Sequence, residues 1–295
     1  MIYSHNPKPA SLRSIADVIH IPFWLDDIAK PNPEPPLIQN ISTDLLIIGA
    51  GFAGLWTALL AKEANPNRDV VLIEAGEIAS GASGRNGGFM DASITHGFMN
   101  GLSRWPKEIA TLHALGVKNL TEIETTLQRL DIKCDYQRTG EIDIATEPYL
   151  LEQFKQFIEL AKPYKVSFEY LDYEQVQNVV KSPIFIGGLK RFDSSIVNPA
   201  HLAWGLRKAC LNLGVQLYEH TPVTNLAEEN NFVIAQTQYG QIRAQHVALA
   251  TNAFPPLLKR ISYYVVPVYD YVLMTEPLTP SQRDSIGWHG REGLS

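Results

Sequence analysis

Residues 44 to 88 constrain this chain more than any other stretch. A short apolar run, Leu45 to Ile48, has the length of a buried parallel strand. It stops at Gly49-Ala50-Gly51-Phe52-Ala53-Gly54, and an alanine- and leucine-rich helix follows to about Ala64. Pro66, Asn67 and Arg68 turn the chain, Val70 to Ile73 form a second apolar strand, and Glu74 ends it. Strand, glycine turn, helix and strand, with a carboxylate twenty positions after the third glycine, is the arrangement that holds a dinucleotide.

Each residue has a physical task in that arrangement. Gly49 permits a tight turn because it lacks a Cβ. A side chain at Gly51 would occupy the space of a pyrophosphate, and Gly54 lets the helix approach the strand. The helix then begins, at Phe52 and Ala53, with unpaired N–H groups and a partial positive charge facing the phosphates. The Glu74 carboxylate can accept hydrogen bonds from ribose hydroxyls, and it would repel a 2′-phosphate, which argues against NADP.

A second loop follows at once: Ala79-Ser80-Gly81-Ala82-Ser83-Gly84-Arg85-Asn86-Gly87-Gly88-Phe89. Small and hydroxyl-bearing residues let backbone N–H groups approach an anion or a flat polar ring closely. A nicotinamide enzyme has no need of such a loop here, whereas the extended FAD molecule does. Together, D-L-L-I-I-G-A-G-F-A-G and G-A-S-G-R-N-G-G-F resemble the FAD-dependent amine and amino-acid oxidases of the D-amino-acid oxidase (DAO) superfamily. The likeness is greatest to the γ-glutamylputrescine oxidase-like branch, with glycine and sarcosine oxidases more distant. It runs from about Ile21 to the end of the chain.

The resemblance implies an α/β fold in which a Rossmann-like FAD-binding domain carries an inserted α+β substrate domain. On this reading residues 1–41 are a Pro-rich arm, 42–137 and 192–260 form the FAD-binding domain, and 138–191 with 261–295 form part of the substrate domain. The cofactor set is Gly49, Gly51, Phe52, Ala53, Gly54, Glu74, Ala75, Ser80, Ala82, Ser83, Arg85, Asn86, Gly87 and Gly88. Three further members come from the resemblance: Val223, which would meet the adenine through its backbone, and Ala250 and Thr251 at a strand end beside the adenosine and pyrophosphate. Tyr263 to Thr275 is β-prone, and in look-alikes the corresponding strand roofs the flavin. Tyr269 and Tyr271 are therefore candidates for the substrate side, with aromatic sheet packing as the alternative.

The implied reaction is oxidation of the carbon–nitrogen bond of a primary or secondary amine or amino acid to an imine. Hydride would pass to flavin N5, with dioxygen as the final acceptor and hydrogen peroxide as product. No residue is singled out as a catalytic base. Look-alikes continue well beyond Ser295, so a second chain supplying the C-terminal part is an expected partner, and the chain alone is expected to be marginally stable. A non-catalytic FAD- or nucleotide-binding fragment or subunit is one alternative. A dehydrogenase using an acceptor other than oxygen is the other.

Composition narrows the partners. A formal charge of −6 and a pI near 5.8 argue against nucleic acid and anionic membranes. No stretch approaches the roughly 18 apolar residues of a spanning helix, and Met1 to Ala10 lacks a leader pattern, so the cytoplasm is expected. Cys134 and Cys210 read as free core thiols, and the scattered histidines do not suggest a metal site.

Elsewhere the pattern predicts an arm stiffened by Pro31, Pro33, Pro35 and Pro36 and irregular chain from Met90 to Asn100. A helical stripe from Ile109 to Leu130 is expected to break near Gly116. Strands are expected over 138–145 and 184–191, with a helix over 148–162. Asn198 and Pro199 should open another helix, closed at Gly214.

Overall fold

The strand–turn–helix unit sits at the centre of a six-stranded sheet. A computed structural model describes residues 8–295, apart from 14–15, 17–20, 28, 255, 267, 269–273 and 289–291. After α1 (Pro9–Arg13) and a short helical turn at Phe23–Leu25 come β1 (Ile41–Ile48), α2 (Phe52–Ala64) and β2 (Val70–Ile73). β1 starts ahead of the apolar run, and α2 ends where the sequence pattern places it.

β3 (Phe89–Asp91) and α3 (Phe98–Arg104) then take the two ends of the stretch expected to be irregular, which is irregular between them, from Ala92 to Gly97. The pattern missed β3 because its partner is remote: Phe89 pairs with Ile196, and a three-residue strand carries little local signal. α4 (Ile109–Arg129) is a continuous helix, so Gly116 is not a break. Instead, a Cβ on Gly116 would overlap the Ala92 carbonyl. The glycine is required by close approach of the helix to the chain after β3.

β4 (Glu141–Ala145), α5 (Pro148–Ala161), β5 (Phe168–Leu171), α6 (Tyr173–Val179), β6 (Gly187–Arg191) and β7 (Ser194–Ile196) follow. α7 (Pro199–Asn212) opens as expected, with the Asn198 carboxamide oxygen accepting from the N–H groups of Ala200 and His201 at 3.1 Å each. The chain continues through β8 (Gln216–Tyr218), β9 (Asn225–Glu229), β10 (Phe232–Gln236), β11 (Gln241–Leu249), α8 (Pro280–Ile286) and β12 (Gly293–Leu294).

The large sheet has the order β8-β2-β1-β11-β10-β9. Its first four strands are parallel, and β10 and β9 extend it antiparallel. Side chains on β1 alternate between two cores, as successive Cβ atoms must. Leu45 and Ile47 join Leu55, Ala58 and Leu59 of α2 and Ala203 and Leu206 of α7. Leu46 and Ile48 face the opposite core with Val71, Ile73, Ala244 and the arm residue Leu37. β1 is flanked by β2 on one side and β11 on the other, so strand order reverses at its carboxyl end. A crevice for ligand opens at such a point.

A second sheet has the order β12-β4-β6-β5, and α5 covers one of its faces by packing Phe154 with Ala145 and Leu189. The strand expected over Tyr263–Thr275 does not form in its described part. Tyr263 and Tyr264 lie in a turn, and Val265, Val266 and Val268 have no regular structure. A β-prone segment becomes a strand only against a partner edge, and Tyr263 and Val266 are instead 92% and 82% exposed.

Candidate cofactor site

The glycine turn closes over the end of β1. Gly49 adopts φ +105°, a conformation that favours glycine, and its N–H donates to the Ile73 carbonyl at 2.8 Å. A Cβ there would lie 2.6 Å from the Ala250 oxygen. Ala250 is itself tied to the sheet by donating to the Ile48 carbonyl at 2.8 Å. The chain just past β11, carrying Ala250 and Thr251, thus runs directly against the turn. A Cβ on Gly54 would overlap the Gly49 carbonyl, which is the close helix-to-turn packing the motif requires.

Gly51 is the N-cap of α2 and brings no capping side chain. The N–H groups of Phe52, Ala53 and Gly54 belong to the first turn and have no intrahelical acceptor. The second loop answers one of them: Ser83 Oγ accepts from the Phe52 N–H at 3.0 Å. A Cβ on Gly51 would come within 2.8 Å of that same Oγ.

Glu74 faces the turn. Its Oε2 accepts from the Ala50 N–H at 2.7 Å and its Oε1 from the Gly76 N–H at 3.0 Å. The backbone beneath is anchored on both sides, with the Glu74 N–H donating to Tyr218 and the Glu74 carbonyl accepting from Thr221. Each carboxylate oxygen keeps a lone pair for a further donor.

In the second loop, Asn86 is an internal brace. Its Nδ2 donates to the carbonyls of Ala82 at 3.2 Å and Ser83 at 2.9 Å, and its Oδ1 accepts from the Gly88 N–H at 2.9 Å. Arg85 Nε donates to the Ser80 carbonyl at 2.6 Å. Ser80 Oγ would lie 3.2 Å from a Cβ on Gly76, so the loop returns beside Glu74. Gly88 is buried, whereas Ala75, Ala82 and Gly87 are exposed. Val223 is half-buried against the second core, shortly after Thr221. Tyr269 and Tyr271 lie outside the described residues.

Two contributors escaped the sequence reading. Glu219, 2% exposed, accepts from the Ile78 N–H and from the Glu34 N–H at 2.7 Å each. An acid directly after the strand Gln216–Tyr218 is a signal of the same kind as Glu74 after Val70–Ile73, made fainter by Gln216 interrupting the apolar pattern. Trp24 donates from its indole to the Asn86 carbonyl at 2.8 Å. A tryptophan in a proline-rich arm was the available hint.

These residues fit FAD. A bare N-cap, first-turn donors and a serine hydroxyl suit a pyrophosphate, and the anchored Glu74 carboxylate suits ribose hydroxyls. A separate cavity of about 240 Å³ lies between α3, α4 and the second sheet, lined among others by Phe98, His113, Phe168 and Arg191. None of the predicted cofactor residues lines it. Among the described residues no group of three or more histidine, cysteine or acidic side chains could hold a metal, and no helix is long and apolar enough to cross a membrane.

Fold and site together define a dinucleotide-binding protein of the flavin-enzyme type. The model of the family described as DAO, FAD dependent oxidoreductase, matches residues 44–293, and the chain belongs to that family. FAD is the family's cofactor. The chain is 30% identical over 279 residues to a probable oxidoreductase OrdL of Haemophilus influenzae, covering 90% of this chain and 62% of the relative. It is also 30% identical over 265 residues to γ-glutamylputrescine oxidoreductase of Escherichia coli, covering 87% and 60% respectively. Among solved structures, glycine oxidase from Geobacillus kaustophilus superposes with a TM-score of 0.63 at 20% identity, covering 72% of this chain and 56% of that one. The chain therefore spans about three fifths of the length of the curated relatives it matches.

Proposed function

We propose that this chain holds FAD for the oxidation of an amine or amino acid at its carbon–nitrogen bond. One observation carries the reading: Glu74 and Ser83, from two different loops, both hydrogen-bond the backbone of the same glycine turn. In this reading Glu74 binds the adenosine ribose, and the α2 N-terminus with Ser83 binds the pyrophosphate. Ala250 and Thr251 form the wall of the crevice at Gly49, and Val223 borders the adenine. The Arg85 and Gly88 N–H groups are used within the loop, by the Ala82 carbonyl and Asn86 Oδ1, so the Asn86 and Gly87 N–H groups would be the donors toward the ring system.

When bound, FAD would supply a two-electron acceptor, with dioxygen as the proposed terminal acceptor and hydrogen peroxide as the product. The polypeptide's part is to orient the substrate C–H bond, exclude water and favour the unprotonated amine. Residues 138–191 and 261–295 are assigned to the substrate side, including Tyr269 and Tyr271.

A second reading concerns partners. Tyr263, Tyr264, Val266 and Val268 are each more than four fifths exposed, an aromatic and aliphatic row that further polypeptide, of this chain or of a partner, would cover. The reaction test is to add FAD to the purified chain and assay peroxide release over a panel of primary and secondary amines and amino acids. Peroxide with an amine supports an oxidase. Substrate-dependent bleaching of the flavin that only an artificial acceptor reverses favours a dehydrogenase. A flavin band that no amine bleaches favours a binding subunit.

A further inference from the structure

The N-terminal arm touches both loops of the crevice. Lys30 pairs with Glu77, just beyond Glu74. The Glu34 N–H donates to Glu219, which also holds Ile78, and the Leu37 N–H donates to Thr221 Oγ1 at 3.0 Å. At the other end, Leu25 would lie 2.9 Å from a Cβ on Gly84, and the Trp24 indole donates to the Asn86 carbonyl at 2.8 Å.

We propose that Trp24 is a positioning residue for the cofactor: through Asn86 and Ser83 it fixes the loop that faces the pyrophosphate and flavin. The path is a continuous series of hydrogen bonds. Trp24 holds the Asn86 carbonyl. The Asn86 side chain holds the Ala82 and Ser83 carbonyls and the Gly88 N–H. Ser83 Oγ then accepts from Phe52 in the first turn of α2. An indole has one donor and no acceptor, so this tether has a single direction. The held carbonyl is followed by Gly87 and Gly88, which otherwise leave this stretch the most conformational freedom to lose. Fixing it beforehand lowers the ordering cost of binding. This inference rests on the FAD reading above.

The test compares wild type with Trp24→Phe, which keeps an aromatic ring but removes the donor, and with Leu25→Ala, which removes arm packing but no hydrogen bond. Three quantities are read for each: apo-protein melting temperature, equilibrium FAD affinity, and visible circular dichroism of the FAD-saturated protein. Trp24→Phe is expected to weaken FAD binding by up to about fivefold, because the loop must then be ordered on binding at a cost bounded by one net hydrogen bond, and to alter the flavin dichroism. Leu25→Ala is expected to lower the melting temperature while leaving the dichroism of saturated protein as in wild type. Wild-type affinity and dichroism in Trp24→Phe would overturn the proposal, as would equal dichroism changes in the two variants. If wild type itself takes up no FAD, the site reading fails and this inference falls with it.

Discussion

Ser83 Oγ lies 3.0 Å from the Phe52 amide nitrogen and accepts its proton, which joins the serine-glycine loop to the first turn of the dinucleotide helix. The hydroxyl uses a lone pair in that bond and keeps its own hydrogen to donate, in the proposed reading to a phosphate oxygen. Ser83→Ala should therefore remove a hydrogen bond to a charged group as well as a helix cap. We expect FAD affinity to fall at least about tenfold and the apo protein to lose about 1 kcal/mol. Fluorescence titration and thermal melting measure the two effects.

Glu74 accepts from two backbone N–H groups, one on each carboxylate oxygen. In Glu74→Gln the amide nitrogen must face one of those donors, leaving a donor opposed to a donor. The expected cost to the apo protein is about 1–3 kcal/mol, and FAD affinity should fall further than in Ser83→Ala. Denaturant melts with and without FAD test this. A variant as stable and as tight-binding as wild type would remove Glu74 from the site.

Gly116 separates two physical effects of opposite sign. By helix propensity alone, Gly116→Ala in the middle of α4 should stabilise by about 1 kcal/mol. The structure puts the new methyl into the Ala92 carbonyl, so overpacking of about 1–3 kcal/mol should win. Thermal denaturation of the variant should show a lower midpoint.

The two thiols predict behaviour in alkali. Burial pushes Cys134 up to about 11 and Cys210 up to about 12, and both are free and buried. A raised folded-state value means the thiolate is disfavoured in the native protein. The corresponding stability is complete below the unfolded value, roughly 8.5, and is lost as pH rises from there through the folded values. Neither thiol should react with a thiol reagent in native protein near neutral pH, and both should react on denaturation. Replacing both by serine or alanine should flatten the alkaline side of the melting profile.

Much of the crevice was legible because it depends on short-range spacing. A strand, a glycine turn, a helix and an acid at fixed separations specify a βαβ unit, and Glu74 does turn toward Ala50. The Asn198 cap was likewise local. What was not legible depended on contacts between remote residues. Gly116 looks the same in sequence whether it breaks a helix or admits a neighbouring backbone. β3 exists only because Ile196 comes alongside Phe89. The tether from Trp24 to Asn86 joins residues 62 positions apart and follows no periodicity. Conversely, strong β propensity from Tyr263 onward did not make a strand in the described residues.

In the proposed reading the Gly49 turn and the Ser83 loop grip one FAD molecule, which an equilibrium titration of the purified chain with FAD tests most directly. Wild type should bind with one-to-one stoichiometry and retain a visible flavin band through gel filtration, whereas Glu74→Gln and Ser83→Ala should bind more weakly while remaining folded. A folded wild-type chain that takes up no FAD, or variants that bind it as tightly as wild type, would contradict the account.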